Sequence, residues 1–188
     1  MRKTLAALLL IMLLPLTACA AAGPEDTAEE IQAAYAAAEE IAMTLRVTAD
    51  YGERVYRYRL ACRLGREDGE IEILEPASIA GLRAHLEESG VTLAYDGAEV
   101  YSGGLLMNGL SPVDAVPVMA DAWRRGLVTE CVWEPLGDTD CVRVTHMIDD
   151  DVSLTTWFDR ETYLPVFGEF ASGGYTVLQI TYDNVAME

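Results

Sequence analysis

The chain has 188 residues, of which 13 are basic and 31 acidic, and a formal net charge of −18. So acidic a surface repels nucleic acid and anionic lipid headgroups, and nucleic-acid binding is therefore excluded as a function. Lys3 is the only lysine, so the rest of the chain contains neither a Schiff-base lysine nor a phosphate-loop lysine.

The first 18 residues have the pattern of a bacterial signal peptide. Arg2 and Lys3 precede an uncharged apolar run over residues 5–14, which is shorter than the roughly 20 residues of a membrane-spanning helix. The run closes on Leu16-Thr17-Ala18-Cys19, which resembles the lipobox of bacterial lipoproteins. The leucine at this offset argues against an accidental cysteine. We therefore predict cleavage after residue 18, acylation of Cys19, a linker over 19–26 and an extracytoplasmic chain anchored to the cell membrane by lipid.

Three further cysteines, Cys62, Cys131 and Cys141, remain in the mature chain. An odd number cannot pair completely within one chain. A disulfide between Cys131 and Cys141 would join neighbouring predicted strands, whereas three small apolar core side chains in a reducing or anaerobic habitat explain the same residues equally well. Both explanations stay open at this point.

The first predicted element after the linker is a helix. Thr27 and Glu30 have the spacing of a capping box, which would start the helix at residue 27. Apolar residues then recur at steps of three and four, as they do on one face of a helix. These residues are Ile31, Ala34, Tyr35, Ala38, Ile41, Ala42 and Leu45. The pattern predicts a helix over residues 27–45 that packs on a hydrophobic surface.

From about Arg46 the hydrophobic period changes to two, which indicates strands. In Val55–Leu64, arginines occupy one face and the other face carries Tyr56, Tyr58, Leu60, Cys62 and Leu64. This alternation is typical of a half-buried antiparallel strand. Turn signals separate further predicted strands over residues 71–74, 79–86, 91–95 and 99–102.

A second helix interrupts the strands. Ser111 is suited to its N-cap, Pro112 to its first turn and Gly126 to its C-cap. Pro117 predicts a kink or a restart. Strands resume over residues 129–133, 141–148, 152–158, 164–171 and 176–182. The sum is about ten strands in an up-and-down meander.

Residues 157–166 (Trp-Phe-Asp-Arg-Glu-Thr-Tyr-Leu-Pro-Val) combine a strand, an Asp-x-x-Thr turn and a Leu-Pro step. With the strand over 177–182 they resemble the C-terminal half of the outer-membrane lipoprotein carrier family, known as LolA/LolB-like. The N-terminal half has a similar layout, with an opening helix, a Glu75-Pro76 step and an Asp96-Gly97 hairpin.

This resemblance implies an α+β fold over residues 27–188, in which a curled antiparallel sheet forms an unclosed β-barrel and two helices pack on its concave side. It also implies that acyl chains or other hydrophobic ligands lie between sheet and helices. Lipidated relatives with this layout, including clostridial spore-germination lipoproteins, are expected to act through protein partners.

The candidate pocket-lining residues are four aromatic side chains, namely Tyr56, Tyr58, Trp133 and Phe158. They could line the concave face and touch a lipid, or they could be ordinary core residues, because buried aromatic rings dominate a core of this size.

No pattern predicts catalysis, a metal or a cofactor, and we expect the protein not to be an enzyme. His85 is predicted to be exposed. His146 alternates with Val142 and Val144, which predicts a core histidine with its hydrogen bonds satisfied. The acidic turns over 138–140 and 149–151 lack the full spacing of a calcium loop.

Two hypotheses follow. In the first, the protein is a membrane-anchored lipoprotein whose apolar concave pocket binds lipid or lipoprotein acyl chains. In the alternative, it is a non-catalytic interaction protein for an envelope or spore-cortex partner, such as a cell-wall hydrolase. An envelope enzyme ranks last because no motif supports one.

Overall fold

The computed structural model describes residues 23–103 and 109–188, so the predicted signal peptide and Cys19 lie outside the described residues. The described part contains helices α1 (Pro24–Ala37) and α2 (Pro112–Arg125). Its strands are β1 (Ile41–Asp50), β2 (Val55–Leu64), β3 (Gly69–Glu75), β4 (Arg83–Glu87), β5 (Gly90–Tyr95), β6 (Ala98–Gly103), β7 (Leu127–Trp133), β8 (Cys141–Asp149), β9 (Val152–Asp159), β10 (Pro165–Ser172) and β11 (Tyr175–Met187). Neither of these two helices is long and apolar enough to cross a membrane.

All eleven strands belong to one antiparallel sheet in the order β6-β5-β4-β3-β2-β1-β11-β10-β9-β8-β7. β1 pairs with β11, so the first and last strands join the two halves of the meander at its centre. The sheet curls without closing, and β6 and β7 form its two edges. The helices contact each other; α1 packs on β7 and β8, and α2 packs on β1, β2 and β8. The predicted α+β half-barrel is therefore confirmed.

The core lies between the concave face and the helices, and period-two alternation builds it. On β1 every second side chain from Ile41 to Ala49 is buried, and on β2 the buried side chains are Leu60, Cys62 and Leu64. The prediction that Leu60, Cys62 and Leu64 share one face of a strand is confirmed.

The predicted helix over 27–45 is wrong in its second half. α1 ends at Ala37, and residues 41–45 belong to β1, which makes eleven strands where about ten were predicted. Ile41 and Leu45 fit a step of four and a step of two equally well, so their spacing does not decide between helix and strand. Pairing with β2 on one side and β11 on the other decides for the strand.

The two helices differ in how well their starts were predicted. For α2, Ser111 Oγ accepts a hydrogen bond from the Asp114 amide at 3.2 Å, Gly126 is the C-cap, and the helix continues through Pro117 without a restart. For α1, the N-cap is Gly23, whose amide donates to Asp26 Oδ2 at 2.8 Å. The predicted Thr27 cap is wrong because Pro24 already occupies the first turn of the helix. Proline is favoured there because it has no amide hydrogen that would need a hydrogen-bond partner.

Residues 76–82 form a turn, whereas the sequence predicts a strand that begins at residue 79. The Gly81 amide donates to the Ile73 carbonyl at 2.8 Å, and β4 begins only at Arg83. The turn removes Ile79 and Leu82 from the sheet, although both remain packed against the core. These two side chains are therefore available to line a cavity.

The three described cysteines are free thiols. Cys131 lies opposite Val144, whereas the Cys141 carbonyl accepts a hydrogen bond from the Glu134 amide at 3.1 Å. This register keeps Cys131 and Cys141 apart along the strand pair, so the disulfide is not formed. Cys62 and Cys141 are buried, and burial raises the pKa of both thiols. The explanation as small core side chains therefore holds for these two.

Candidate functional site

One part of the concave face is closed by an aromatic cluster, which we define as Tyr35 of α1, Trp123 of α2 and Phe158 of β9. The ring centroids of Trp123 lie 5.1 Å from Tyr35 and 5.6 Å from Phe158. Trp123 Nε1 donates a hydrogen bond to the buried Thr156 Oγ1 at 3.0 Å. All three side chains are at most 1% exposed. The helices thus fill this part of the face.

Another part of the concave face is open. Beside the first turn of α2 lies a groove of about 610 Å³, a volume typical of small-molecule sites. Its apolar lining consists of Tyr58, Ile73, Ile79, Leu82, Val91, Leu93, Pro112 and Val113. Its polar lining consists of Ser102, Ser111 and Asp114.

The groove is apolar because the inner faces of β3 and β5 are built like the rest of the sheet. Ile73 and Val91 are buried, as period-two alternation requires. Around them Tyr58, Leu82 and Leu93 are only partly buried. An apolar ligand that covers such partly buried apolar side chains lowers the free energy of the system.

The polar side of the groove is organised by the start of α2. Ser111 Oγ donates to Asp114 Oδ2 at 2.6 Å, and the Tyr51 hydroxyl donates to the Leu110 carbonyl at 3.0 Å. Burial raises the pKa of Tyr51, with smaller contributions from Tyr58 and from the negative charge of Asp114. The Asp114 carboxylate therefore lies close enough to Tyr51 to act on it electrostatically.

A second cavity of similar volume, about 620 Å³, lies at the turns around Asp140 and Asp159 and has a polar lining. Asp159 Oδ1 accepts hydrogen bonds from the Thr162 amide at 2.8 Å, the Glu161 amide at 2.9 Å and Thr162 Oγ1 at 3.0 Å. These bonds, the Thr162 amide first, lower the pKa of Asp159. Asp159 thus closes the Asp-x-x-Thr turn, and residues 23–103 and 109–188 contain no cluster of three His, Cys, Asp or Glu that could hold a metal ion.

The structure places the four predicted lining residues at different locations. Tyr58 lines the groove, and Tyr56, 38% exposed, lies beside Tyr51 with the two rings tilted by 56° and their centroids 6.1 Å apart. Phe158 belongs to the aromatic cluster. Trp133, 37% exposed on the edge strand β7, lies 3.9 Å below the guanidinium carbon of Arg160. The four side chains do not form one lining.

Sequence reasoning missed most of the groove. The predicted strand over residues 79–86 includes Ile79 and Leu82, and Ser111 and Pro112 predict only the start of the helix that contains Val113 and Asp114. The sequence did contain a signal that Ile79 and Leu82 lie in a turn, because Pro76 and Gly81 are turn residues that interrupt the strand pattern before Arg83.

His146 lies in the interior, as predicted, and is only 3% exposed. Its Nδ1 has no hydrogen-bond partner within the described part of the chain, so the prediction of a satisfied histidine is wrong. Burial lowers its pKa to about 4. His85 is half-exposed, and its Nδ1 lies 3.3 Å from Glu70 Oε2.

No family model matches the chain, and no curated protein matches it. Several solved structures match the chain. An uncharacterized conserved protein from Thermus thermophilus has 9% identity and a TM-score of 0.52 over 87% of this chain and 86% of that one. A DUF1329 family protein from Desulfovibrio piger has 11% identity and a TM-score of 0.50 over 89% and 94%.

A LolA superfamily protein from Nitrosomonas europaea is also similar, with 13% identity and a TM-score of 0.46 over 89% of this chain and 94% of that one. At such identities a likeness shows the fold alone. The chain has the curled half-barrel fold, which it shares with the Thermus thermophilus and Desulfovibrio piger proteins.

Proposed function

We propose that the protein is a membrane-anchored extracytoplasmic lipoprotein, acylated at Cys19, whose groove binds an acyl chain of a lipid or a lipoprotein. The observation that carries the proposal is the apolar groove of about 610 Å³ beside α2, which the described residues leave open. Each methylene moved from water into such a lining contributes about 0.8 kcal/mol. About ten methylenes would contribute roughly 8 kcal/mol before the cost of ordering the chain.

The position of the acylation site supports the same function. Cys19 precedes Gly23, the N-cap of α1, by four residues, which span at most about 14 Å. Such a short linker would keep the half-barrel next to the bilayer to which Cys19 is attached. A chain leaving the bilayer would then reach the groove over a short distance.

Photocrosslinking tests the groove in the intact lipoprotein. Cells that produce the full chain would receive a fatty acid carrying a diazirine near its methyl end, and after irradiation the modified peptides would be mapped by mass spectrometry. We expect labels on the peptides that contain Ile79, Leu93 and Val113, which line the groove.

Two matched variants make this test specific. Leu93→Asn places an amide in the groove, whereas Leu127→Asn makes the same change at a 64% exposed position on the edge strand β7. We expect Leu93→Asn to reduce labelling of the groove several-fold and Leu127→Asn to leave it unchanged. Equal labelling in wild type and Leu93→Asn, or labels spread over the surface, would refute acyl-chain binding in the groove.

The anchor is tested separately with radiolabelled palmitate. Wild-type chain should incorporate the label, and Cys19→Ser should incorporate none and retain residues 1–18. Unchanged incorporation in Cys19→Ser would contradict acylation at this residue.

A second function, contact with an envelope protein, is favoured by the edge strand β6. Val100 and Tyr101 on this strand are each 61% exposed, and among the described strands β6 pairs only with β5. An unpaired apolar edge can accept an extended segment of a partner as an added strand. Crosslinking from a photoreactive residue at position 101 should then capture one stoichiometric protein, and Val100→Lys should abolish its capture.

A further inference from the structure

The groove has an asymmetric charge. Its lining contains one charged side chain, Asp114, and no basic side chain from the described parts of the molecule. Asp114 lies at the polar end, where Ser111 Oγ donates to its carboxylate at 2.6 Å. The head of a bound amphiphile would lie beside this carboxylate, because the apolar chain takes the rest of the lining.

Two other features could attract an anionic head, and both are weak. The start of α2 carries roughly half a positive charge. However, Pro112 has no amide hydrogen, and the amides of Asp114 and Ala115 already donate to Ser111 Oγ at 3.2 Å and to the Ser111 carbonyl at 2.8 Å. The full charge of Asp114 exceeds the partial charge of the helix end, so the net potential at this place is negative.

The second feature is Arg54, on the turn between β1 and β2. Its guanidinium lies 3.5 Å from the Tyr56 hydroxyl and is exposed. Solvent and salt screen a charge at such a position. The formal net charge of −18 acts in the same direction as Asp114.

We infer that the groove selects amphiphiles with an uncharged or cationic head, and that Asp114 excludes anionic heads such as a phosphate or a sulfonate. This inference rests on the proposed acyl-chain binding. Two like charges about 5 Å apart repel each other enough to change affinity by about fourfold at the dielectric constant of water and by more than about a hundredfold at that of a protein surface, and a value between the two, roughly tenfold, is expected for a groove open to solvent. Asp114 is thus a specificity-determining residue of the groove.

The test uses the full acylated chain in phosphatidylcholine vesicles and three photoreactive probes. The probes share one diazirine-bearing C16 chain and differ only in the head, which is a sulfonate, a hydroxyl or a quaternary ammonium. The yield of groove-peptide crosslinks is divided by the probe content of the vesicles. We expect the hydroxyl and ammonium probes to exceed the sulfonate probe roughly tenfold.

Three variants assign this preference to one carboxylate. Asp114→Asn keeps an oxygen that can accept from Ser111 Oγ and removes the charge, so the sulfonate yield should rise close to the hydroxyl yield. Asp114→Glu keeps the charge and should keep the preference. Asp121→Asn makes the same change in charge on the same helix, where Asp121 pairs with Arg125 at 2.6 Å outside the groove, and should leave the preference unchanged.

The outcomes separate the two proposals. Equal yields for all three heads in wild type, or the same shift in Asp114→Asn and Asp121→Asn, would overturn the role of Asp114 and leave acyl-chain binding intact. Failure of every probe to label the groove would overturn acyl-chain binding itself, and with it the selection of heads.

Discussion

The aromatic cluster and the groove are two parts of the same concave face. In the cluster Tyr35, Trp123 and Phe158 fill the space between sheet and helices, and the Tyr35 hydroxyl and Trp123 Nε1 both donate hydrogen bonds, at 3.2 Å and 3.0 Å. In the groove Tyr58 and Leu93 surround a volume that residues 23–103 and 109–188 leave open, and both are only partly buried.

The strands that form the two parts follow the same alternating pattern, so the difference does not come from the sheet. It comes from the helices, which pack mainly on β1, β2, β7 and β8. Where a helix covers the apolar face, burial stabilises the fold. Where the face extends beyond the helices, the same apolar surface remains available to a ligand. Stability and binding should therefore respond to substitutions in different parts of the molecule.

The largest effect is expected in the aromatic cluster. Trp123→Ala removes a side chain that is 1% exposed and orphans the Thr156 hydroxyl, so we expect the free energy of unfolding to fall by about 3–5 kcal/mol. Leu93→Ala in the groove should cost about 1 kcal/mol or less, because the side chain is already partly exposed. Urea denaturation followed by circular dichroism measures both. Similar losses would show that the groove is as much a part of the core as the cluster.

The next largest effect is expected in the pH dependence of the folding stability, and it arises from buried His146. Neutral His146 is favoured in the folded state, where its pKa is about 4, while the unfolded chain takes up the proton near pH 6.5. Stability should therefore be constant above about pH 6.5 and fall by up to about 3 kcal/mol as the pH drops towards 4.

His146→Leu should reduce this slope, because leucine cannot take up a proton. It should also not destabilise the protein at pH 7, since Nδ1 lacks a partner within the described residues. An unchanged slope between pH 6.5 and pH 4 in His146→Leu would assign the pH dependence to other groups.

The smallest effect is expected at the turn that joins β9 to β10. Asp159→Ala removes the acceptor of three hydrogen bonds and should cost about 1 kcal/mol, as loss of a side-chain cap does. Because the folded pKa of Asp159 lies below its ordinary value, this contribution is present above about pH 4 and is lost as the pH falls below it. The exposed Asp138 in the neighbouring turn is the control, and Asp138→Ala should leave stability unchanged within about 0.5 kcal/mol.

Much of the fold was predictable because its signals are local. Ser111 caps the start of α2 with its side chain, Pro112 suits the first turn because it has no amide hydrogen, and Gly126 is the C-cap. The strands follow from period-two alternation, which needs no knowledge of the partner strand. The error over residues 41–45 arose where alternation and helical spacing coincide, so that only the pairing with β2 and β11 distinguishes them.

The site was less predictable than the fold. Aromatic side chains were the natural candidates for a pocket, yet Phe158 lies under the helices and Trp133 lies at the sheet edge beside Arg160. Composition and alternation identify apolar residues but do not identify which of them a helix covers. Ile79 and Leu82 contribute to the groove only because a turn over 76–82 takes them out of the sheet.

The amino-acid sequence by itself determined a sheet with one apolar face, the bounds of α2, the acidic surface and the lipobox-like Leu16–Cys19 segment. Each of these is a property of neighbouring residues or of their sum. Only the tertiary structure decided where the helices lie on that face, and therefore which apolar residues form the core and which line the groove. That choice depends on contacts between segments distant in the chain, and no local pattern contains them.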